Sequence, residues 1–417
     1  MKKLDFFSRF CLMAAVLVSV AGCEKHGTEW PEEEPEEPVK EGVYVLMEGN
    51  ANASQNGEMY FIAPNSTAFP TFATDGDIYE KSNPGHKAGS YLEDMYIYDG
   101  RMYLVSQKGT DNGGDGQIVI LNAETLKIED VIETVNLGAL DNHPQHIAVV
   151  NDKIYIQYAV SDMETHSGIR VFDLKTKKMA SSDIEGTYGE FSKSGAAKAR
   201  MLVSRGYVYA SCGESLVIID PATDRVVKRI TFEGRQVKDV VKGRDANLYL
   251  AVSGTFEVSG SGWTATYTYT SKSKIVKMDH SGNILSEKEI DVYFPVMTYT
   301  PNVSMCASLT EDALYFAGGY DEDYYATDSF CRYDYATGTL TKTSISETTE
   351  NVNGLMGYMA VDPWTNRLIV PIQGNVLASY DAATCELAEY DKTNKTPVPF
   401  CAGVYSTKQF EATWLAR

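Results

Sequence analysis

The sequence predicts an all-β chain that folds as a seven-bladed β-propeller, and three observations support this fold class. Apolar residues seldom recur at helical spacing beyond residue 22, whereas Tyr is frequent, at 27 residues. One hairpin pattern occurs seven times along the chain. The strand that the first repeat lacks is found at the C-terminus. Length alone decides little, because 417 residues suit several average domains or one large all-β unit.

The repeated hairpin begins with apolar residues, continues through Asp or a substitute into a turn that often holds Thr, and ends in apolar residues. Its turn-opening residues are Ala63, Asn122, Asp173, Asp220, Asp279, Asp334 and Asp381, at intervals of 47 to 59 residues. An Asp at this position accepts hydrogen bonds from backbone N–H groups and stabilises the turn. We therefore interpret these aspartates as structural, since residues on seven equivalent outer hairpins cannot converge on one substrate.

Two further strands precede each hairpin. The nearer strand has the sequences GVYVLME, GRMYLVS, DKIYIQY, RGYVYAS, ANLYLAV, DALYFAG and NRLIVPI. The farther strand has the sequences LEDMYIYDG, PQHIAVVND, KARMLVSRG, VKDVVKGRD, VSMCASLTED and GLMGYMAVD, and the copy for the first repeat is PFCAGVYST at residues 399 to 407. Each blade thus has four antiparallel strands, and the C-terminal strand completes the first blade and closes the ring.

The N-terminus carries the features of a lipoprotein signal. Residues 1–22 have a basic start and an apolar run, and they end in Val20-Ala21-Gly22 before Cys23, which is similar to a bacterial lipobox. We expect Cys23 to be lipidated and to anchor the protein. Residues 23–41 hold eight Glu and three Pro, which predicts a disordered tether. The propeller is predicted to span residues 42–417.

Charge and cysteine content exclude several kinds of partner and site. The net charge of −20 argues against nucleic acid and against membrane contact other than through the lipid anchor. Beyond Cys11 and Cys23, five cysteines remain without CxxC spacing, so neither a zinc site nor a disulfide framework is indicated. Cys306 and Cys331 are predicted on the first and third strands of one blade, beyond disulfide reach. We expect free thiols and no cofactor.

The topology separates two faces of the ring. With strands lettered A to D from the axis outward, the D–A and B–C connections share one face, here the loop face, and the A–B and C–D connections share the other, the turn face. Turn-face connections are short, as in YDGR, VND and SRG, whereas loop-face connections are long and unlike one another. Because variable loops on a rigid scaffold usually carry binding sites, we expect the ligand site on the loop face.

An insertion at residues 255–274 is the most unusual loop-face segment. It is predicted to form a hairpin around Gly260, with aromatic side chains on one face and threonines on the other. The aromatic face either packs on the neighbouring blade or forms a platform for a ligand. Aromatic residues and one methionine of the next loops, and two histidines of loop-face loops, complete the set of candidates. The candidate ligand-binding residues are Trp263, Tyr267, Tyr269, Phe294, Met297, Tyr299, Tyr320, Tyr324, Tyr325, His86 and His143.

Other candidates for chemistry receive structural interpretations. Pro-x-x-Ile-Ala begins an inner strand in this repeat, so His146 is predicted to be structural. The acidic segments 111–116 and 321–328 hold enough carboxylates for Ca²⁺ but lack EF-hand spacing, which favours solvated loops. No nucleophile elbow, Walker loop or HExxH is found, so no catalytic residue and no metal ligand are predicted. A site assembled from separate loops would leave no local motif, which keeps a hydrolase or lactonase as an alternative.

The apolar-apolar-Asp-x-x-Thr hairpins and Pro-x-x-Ile-Ala strand starts resemble the YncE-like seven-bladed propellers. The lipobox, the acidic tether and the opening YVLMEGNANASQNGEMYFI are similar to surface lipoproteins of Bacteroidetes, among them the BtuG-type cobalamin-binding proteins. This resemblance covers nearly all of residues 42–417. It implies an outer-membrane lipoprotein facing the cell exterior that binds a bulky nutrient and delivers it to a TonB-dependent transporter.

Within that resemblance the favoured ligand is a corrinoid such as cobalamin, carried as cargo, ahead of haem, a siderophore or a glycan. A protein–protein interaction propeller without a small ligand is the further alternative.

Overall fold

The computed structural model describes residues 39–66, 76–135, 142–160, 168–187, 199–260, 266–296, 303–318, 328–349, 354–372, 376–390, 398 and 401–414. The predicted signal peptide, the lipidation site Cys23 and nearly all of the tether lie outside these residues. At the start of the described chain, the backbone N–H of Lys40 donates to the carbonyl of Ala123 at 2.9 Å. No helix in the described part of the chain is long and apolar enough to cross a membrane.

Short strands make up most of the described chain. Their bounds are β1 Val43–Met47, β2 Glu58–Ile62, β3 Ser90–Tyr98, β4 Arg101–Lys108, β5 Ile118–Asn122, β6 Ile128–Ile132, β7 Asn142–Val150, β8 Lys153–Val160, β9 Ile169–Asp173, β10 Lys178–Met179, β11 Leu202–Ser204, β12 Tyr207–Cys212, β13 Ser215–Asp220, β14 Arg225–Thr231 and β15 Val237–Lys242. They continue with β16 Leu248–Val252, β17 Phe256–Ser259, β18 Thr266–Tyr269, β19 Lys274–Met278, β20 Ile284–Glu289, β21 Cys306–Ala307, β22 Ala313–Gly318, β23 Ser329–Asp334, β24 Thr339–Ser344, β25 Ala360–Asp362, β26 Arg367–Ile372, β27 Val376–Asp381, β28 Leu387–Tyr390 and β29 Cys401–Ser406. Three short helices are α1 Ile78–Ser82, α2 Ile345–Thr349 and α3 Thr407–Trp414.

The described strands form eight antiparallel sheets, of which seven are the blades of the propeller and one is a small two-stranded sheet. Blades 2, 3, 4, 6 and 7 are β3 to β6, β7 to β10, β11 to β14, β21 to β24 and β25 to β28, each in sequence order. Blade 5 is β15, β16, β19 and β20, with the small sheet β17–β18 inserted between its second and third strands. Blade 1 is β29, β1 and β2, and the fourth strand predicted after the turn at Ala63 falls outside the described residues. The predicted seven-bladed fold is confirmed.

The two ends of the chain close the ring inside blade 1. Strand β29 is antiparallel to β1, with Tyr405 opposite Tyr44. Beyond β29, the N–H of Thr407 donates to the carbonyl of Gly42 at 3.0 Å, and the N–H of Gly42 donates to Thr407 Oγ1 at 3.2 Å. The C-terminal strand therefore holds the first blade, and helix α3 begins on the turn face.

The aspartates of the repeated hairpins have the structural role predicted for them. Asp220 Oδ1 accepts from the N–H of Ala222 at 2.9 Å, and Asp381 Oδ1 accepts from that of Thr384 at 2.9 Å. Asp334 Oδ1 accepts from Thr337 N–H at 2.8 Å, and this hydrogen bond, the largest cause, holds the Asp334 pKa below its usual value. Each carboxylate thus satisfies donors of its own turn.

A buried tyrosine recurs at the same position of the second strand in six blades. Its partner in the third strand is the residue two positions before the turn-opening residue, as in the pair of Tyr209 with Ile218 before Asp220. These tyrosines are Tyr44, Tyr103, Tyr155, Tyr209, Tyr249 and Tyr315; blade 7 has Ile369 there. Three of the hydroxyls reach the turn of the next blade. Tyr155 donates to Asp224 Oδ1 at 2.5 Å, Tyr209 to the carbonyl of His280 at 2.7 Å and Tyr315 to that of Ala382 at 2.5 Å. Apolar clusters also span neighbouring blades, so the core lies between the blades.

The cysteines follow the sequence prediction. Cys306 lies in β21 and Cys331 in β23 of blade 6, and all five cysteines in the described residues are free and buried. Burial raises the pKa of the Cys306 and Cys331 thiols to about 12. These thiols are therefore packing residues of the core.

Candidate functional site

On the loop face, three segments of blades 1 and 2 are joined by side-chain hydrogen bonds. Asn56 Nδ2 donates to the carbonyl of Asn112 at 3.0 Å, and Asn112 Nδ2 donates to Ser90 Oγ at 3.2 Å. Ser90 Oγ in turn donates to Asn56 Oδ1 at 3.0 Å. The B–C loops of both blades are thereby attached to the start of β3, so this side of the loop face is formed before any ligand arrives.

His86 lies on the same side of the loop face, in the connection between α1 and β3. Its Nδ1 is 2.8 Å from Asp115 Oδ1, and the Tyr79 hydroxyl donates to Asp115 Oδ2 at 2.5 Å. The His86 side chain is 53% exposed and that of Asp115 is 16% exposed. A carboxylate that binds one ring nitrogen fixes the orientation of an imidazole, so His86 is held as an ordered side chain at the surface.

The prediction that His143 lies in a loop is wrong. Strand β7 begins at Asn142, and His143 is paired with Ala159 inside this inner strand. The reason is that β7 continues beyond the bulge between Pro144 and His146, so the pairing extends two residues further toward the loop face than the Pro-x-x-Ile-Ala pattern indicated.

The insertion in blade 5 is a hairpin, as predicted, formed by β17 and β18. Thr266 and Thr268 are exposed, whereas Tyr267 and Tyr269 on the other face are partly covered. The Tyr267 ring packs 5.8 Å from that of Phe256, and the Tyr269 ring packs 5.0 Å from that of Tyr293. Packing against Phe256 and Tyr293 therefore covers part of each ring. The remaining area of the rings is exposed on the loop face, where a ligand could contact it.

The base of this hairpin is tied to blade 5 by Arg235. Its Nη1 donates to the carbonyls of Ser253 and Lys272 at 2.8 and 3.0 Å, and its Nη2 donates to Ser271 Oγ at 2.9 Å. The Tyr269 hydroxyl adds a hydrogen bond to the carbonyl of Phe294 at 2.6 Å. The hairpin is therefore a braced projection. Arg235 was not among the predicted site residues, because it lies 20 residues before the insertion begins.

Phe294 does not lie on the loop-face surface. Its side chain is fully buried, and its ring packs edge-on against Phe316 at 5.4 Å between centroids. In this conformation the ring is part of the core between blades 5 and 6 and cannot touch a ligand. The other predicted aromatic and thioether residues lie outside the described residues: Trp263, Met297, Tyr299, Tyr320, Tyr324 and Tyr325. Among the residues that are described, no group of three or more His, Cys, Asp or Glu could hold a metal ion.

A second cluster, which we call the axial belt, lies around the ring axis at one register position of the inner strands. It consists of Asp94, His146, Arg200, Asp239, Ser304 and Tyr358. Three of these side chains accept a backbone N–H from the inner strand of the next blade. Asp94 Oδ2 accepts from Ile147 at 3.2 Å, Asp239 Oδ2 from Met305 at 2.9 Å and Ser304 Oγ from Met359 at 2.7 Å. The axial belt thus joins neighbouring blades near the axis.

Arg200 is the central cation of the axial belt. Its guanidinium carbon lies 3.8 Å from the ring centroids of both Tyr358 and Tyr405, so the two rings sandwich the cation. Arg200 Nε is 3.7 Å from Asp94 Oδ1, which also accepts from the Tyr405 hydroxyl at 2.9 Å. Burial disfavours the charged form of Arg200, but Tyr405 and Asp94 outweigh this effect and its pKa is raised.

Burial shifts the ionisation of other groups in and beside the axial belt. It raises the pKa of Asp239 to about 7 and lowers that of the neighbouring Lys238 to about 8. His146 is 2% exposed, and its Nδ1 lies 3.2 Å from Asp94 Oδ2 without the alignment of a hydrogen bond. His146 was predicted to be structural, and its place in the axial belt agrees with that interpretation.

A cavity of about 110 Å³ extends from the axial belt to helix α3 on the turn face. Asp94, Arg200 and Asp239 line one end, and Gln409 and Phe410 line the other. This cavity was not predicted from the sequence. The available signal was the inner-strand pairs Asp94-Met95, Arg200-Met201, Ser304-Met305 and Tyr358-Met359, in which a polar residue precedes Met at the same register position.

Comparison with known proteins places the chain in a family. No curated protein matches it. Among solved structures, the hydrazine synthase of Kuenenia stuttgartiensis is similar at 13% identity and a TM-score of 0.46, over 72% of this chain and 80% of that chain. The model of the family described as "Domain of unknown function (DUF5074)" matches residues 41–403, which include nearly the whole ring from β1 into β29. The chain therefore belongs to the DUF5074 family.

Proposed function

We propose that this propeller is a binding protein that captures a bulky nutrient on its loop face, with a corrinoid such as cobalamin as the first candidate. The observation that carries the proposal is the braced hairpin β17–β18, which holds Tyr267 and Tyr269 on the loop face through the Arg235 hydrogen bonds at its base. A braced aromatic surface loses little conformational entropy on binding, so it favours a large flat ligand.

The linked loops of blades 1 and 2 add a second ordered wall. The hydrogen bonds of Asn56, Ser90 and Asn112 hold it, and the oriented His86 lies beside it. A site formed by separate blades suits a ligand larger than one loop can cover. The resemblance to BtuG-type proteins favours a corrinoid over haem, a siderophore or a glycan.

The ligand can be identified by retained absorbance. The purified protein is incubated with cobalamin, cobinamide, haem and a ferric catecholate, and the colour that stays with it after gel filtration is recorded. We expect one corrinoid to be retained, and Trp263→Ala, Tyr267→Ala and Tyr324→Ala to weaken its binding. Tyr207→Ala is the matched control, because Tyr207 is 40% exposed on the turn face.

Two results would count against capture. If none of the four compounds is retained, the protein–protein alternative gains support. If the loop face hydrolyses an ester or a lactone and Tyr267→Ala abolishes turnover, the hydrolase alternative replaces the binding role.

We further propose that lipidated Cys23 anchors the protein in the outer membrane, facing the cell exterior, where it passes the ligand to a TonB-dependent transporter. The lipobox and the acidic tether support this proposal. Cys23→Ala should release the protein from the membrane fraction. Protease added to intact cells should degrade the wild-type protein if it is surface-exposed, and survival of the protein would assign it to the periplasmic leaflet.

A further inference from the structure

The cavity at the ring axis is separate from the loop-face site. Its walls between the axial belt and α3 are mainly apolar, and Met95, Met201, Met305, Val240 and Val361 line them. The inner strands run from the loop face to the turn face, and the C-terminal half of these strands lines the cavity. It therefore opens toward the turn face, on the side opposite to the proposed capture site.

Two polar side chains on this cavity have unmet hydrogen-bonding capacity. Among the described residues, Arg200 Nε and Nη2 have no hydrogen-bond partner, and neither has the hydroxyl of Tyr96, which is 4% exposed. Both residues line the cavity. A buried donor without a partner costs about 1 to 3 kcal/mol. For Arg200, Asp94 and the rings of Tyr358 and Tyr405 offset part of this cost, and an acceptor in the cavity offsets more of it.

The balance of cationic and anionic side chains in the cavity lining is compatible with one bound anion. Asp94 is the carboxylate nearest to Arg200, with 3.7 Å between Oδ1 and Nε. Asp239 also lines the cavity, and burial raises its pKa to about 7, which favours its uncharged form more than in an exposed carboxylate. Lys242 adds a second cation to the lining. Two cations and two carboxylates therefore line the cavity, and the raised pKa of Asp239 shifts this balance toward positive charge.

We propose that the axial cavity binds a short-chain monocarboxylate, with its carboxylate on Arg200 and its alkyl chain along the methionine-lined wall toward Phe410. Guanidinium groups bind carboxylates through two parallel hydrogen bonds, and thioether side chains pack well against an alkyl chain. The volume of about 110 Å³ sets the size of the ligand. A cavity of about 150 Å³ holds benzene, which has six non-hydrogen atoms, so a smaller carboxylate of about two to four carbons fits here.

Helix α3 borders the turn-face end of the cavity and limits how long a chain it accepts. The Phe410 ring lies edge-on to Tyr96 at 5.2 Å, across the turn-face end of the cavity. The helix is held at its start by the hydrogen bonds between Thr407 and Gly42 and by Lys408 Nζ, which is 2.6 Å from Glu41 Oε1.

The test is a titration of the full-length protein, by calorimetry and thermal unfolding, with linear carboxylates from acetate to hexanoate. The matched probes 1-butanol and butylamine have a chain of similar length without the anion. For the wild type we expect the tightest binding at about two to four carbons and weaker binding of pentanoate and hexanoate. The two probes should bind at least about tenfold more weakly than butyrate, which is the discrimination that a charge-assisted pair supplies. Val227→Ala, on the outer strand β14, is the surface control.

Three variants separate the parts of the proposal. Phe410→Ala enlarges the cavity and should move the preferred chain length upward by about two carbons, because the phenyl ring is removed. Arg200→Gln should bind butyrate no better than 1-butanol. If Arg200→Gln does not fold, Ala307→Leu fills the cavity without changing Arg200 and should abolish binding of every chain length.

The proposal is overturned if the wild type binds no carboxylate or binds 1-butanol as tightly as butyrate. An unchanged chain-length preference in Phe410→Ala also overturns it, because the ligand would then lie elsewhere. None of these measurements depends on capture at the loop face, so the two proposals can fail separately.

Discussion

The Asp239 carboxylate accepts a hydrogen bond from the backbone N–H of Met305, 2.9 Å away, across the boundary between blades 5 and 6. Its other oxygen accepts from the N–H of Val240 at 2.9 Å. Despite these donors, burial raises the Asp239 pKa from 3.8 to about 7. One carboxylate therefore links two blades and titrates near neutral pH.

This raised pKa leads to a prediction about stability and pH. Between its unfolded and folded pKa values the folded state holds a proton that the unfolded chain releases, so the stability that Asp239 contributes decreases as pH rises through about 4 to 7. The free energy of unfolding of the wild type and of Asp239→Asn is measured in urea from about pH 4.5 to 7.5. As pH rises through this range, the value for the wild type should decrease relative to the value for the variant.

Asp279 supplies a control of opposite sign. The backbone N–H of Asn283 and other donors lower its pKa, so its contribution is present at neutral pH and is lost as pH falls. Asp279→Asn should therefore differ most from the wild type near neutral pH. A parallel pH response of the Asp239→Asn and Asp279→Asn variants would contradict the prediction.

Gly403 should not tolerate a side chain. A Cβ placed there would lie 2.3 Å from Arg200 Nη2 and 2.9 Å from Tyr358 Cβ. Because the rings of Tyr358 and Tyr405 hold the guanidinium, we expect Gly403→Ala to lower the free energy of unfolding by about 1 to 3 kcal/mol. In an Arg200→Ala background part of this cost should disappear, and strictly additive losses in this double-mutant cycle would argue against the contact.

The tyrosine that links blades 3 and 4 should contribute measurably to stability. Tyr155→Phe removes the donor to Asp224 Oδ1 and leaves this carboxylate with the Lys153 ammonium, 2.7 Å from Oδ2. We expect a loss of about 1 to 3 kcal/mol in denaturant unfolding, as for a hydrogen bond to a charged group. Tyr207→Phe, at an exposed site on the turn face, serves as the comparison and should change stability by less than about 0.5 kcal/mol.

The cysteines of the propeller should be unreactive in the folded protein. All of Cys212, Cys306, Cys331, Cys385 and Cys401 are buried, and burial raises each thiol pKa. Iodoacetamide at about pH 8 followed by peptide mass mapping should leave these five unmodified until denaturant is added, because only the thiolate reacts. Rapid native labelling of any one of them would show local opening of its blade.

The seven blades could be predicted because each repeat carries its own local signals. Asp220 and its counterparts begin turns whose hydrogen bonds involve only neighbouring residues, and the apolar strands beside them alternate with a regular period. PFCAGVYST matched the other inner strands, so the pairing of β29 with β1 followed from the pattern. The recurring tyrosine was visible in the same strings, but its hydroxyl partner lies on the next blade and no string shows it.

Site residues could be predicted less well, because their environment depends on the packing of distant segments. Phe294 is in a loop-face connection, as expected, yet contact with Phe316 buries it. His143 was assigned to a loop because the sequence does not reveal where the pairing of β7 with β8 ends. Arg235 braces the hairpin from outside it, and only the folded geometry brings it to Ser253 and Lys272.

By itself, the sequence determined the strand order, the number of blades, the closure of the ring and the structural role of the aspartates. All of these depend on period-two patterning and on turns of a few residues. Only the tertiary structure decided that Asp94, Arg200, Asp239 and Tyr405 meet at the axis. Residues up to 311 positions apart, such as Asp94 and Tyr405, become neighbours there because the blades are arranged around a common centre. Burial at that centre, which no local pattern encodes, shifts the pKa values and shapes the cavity.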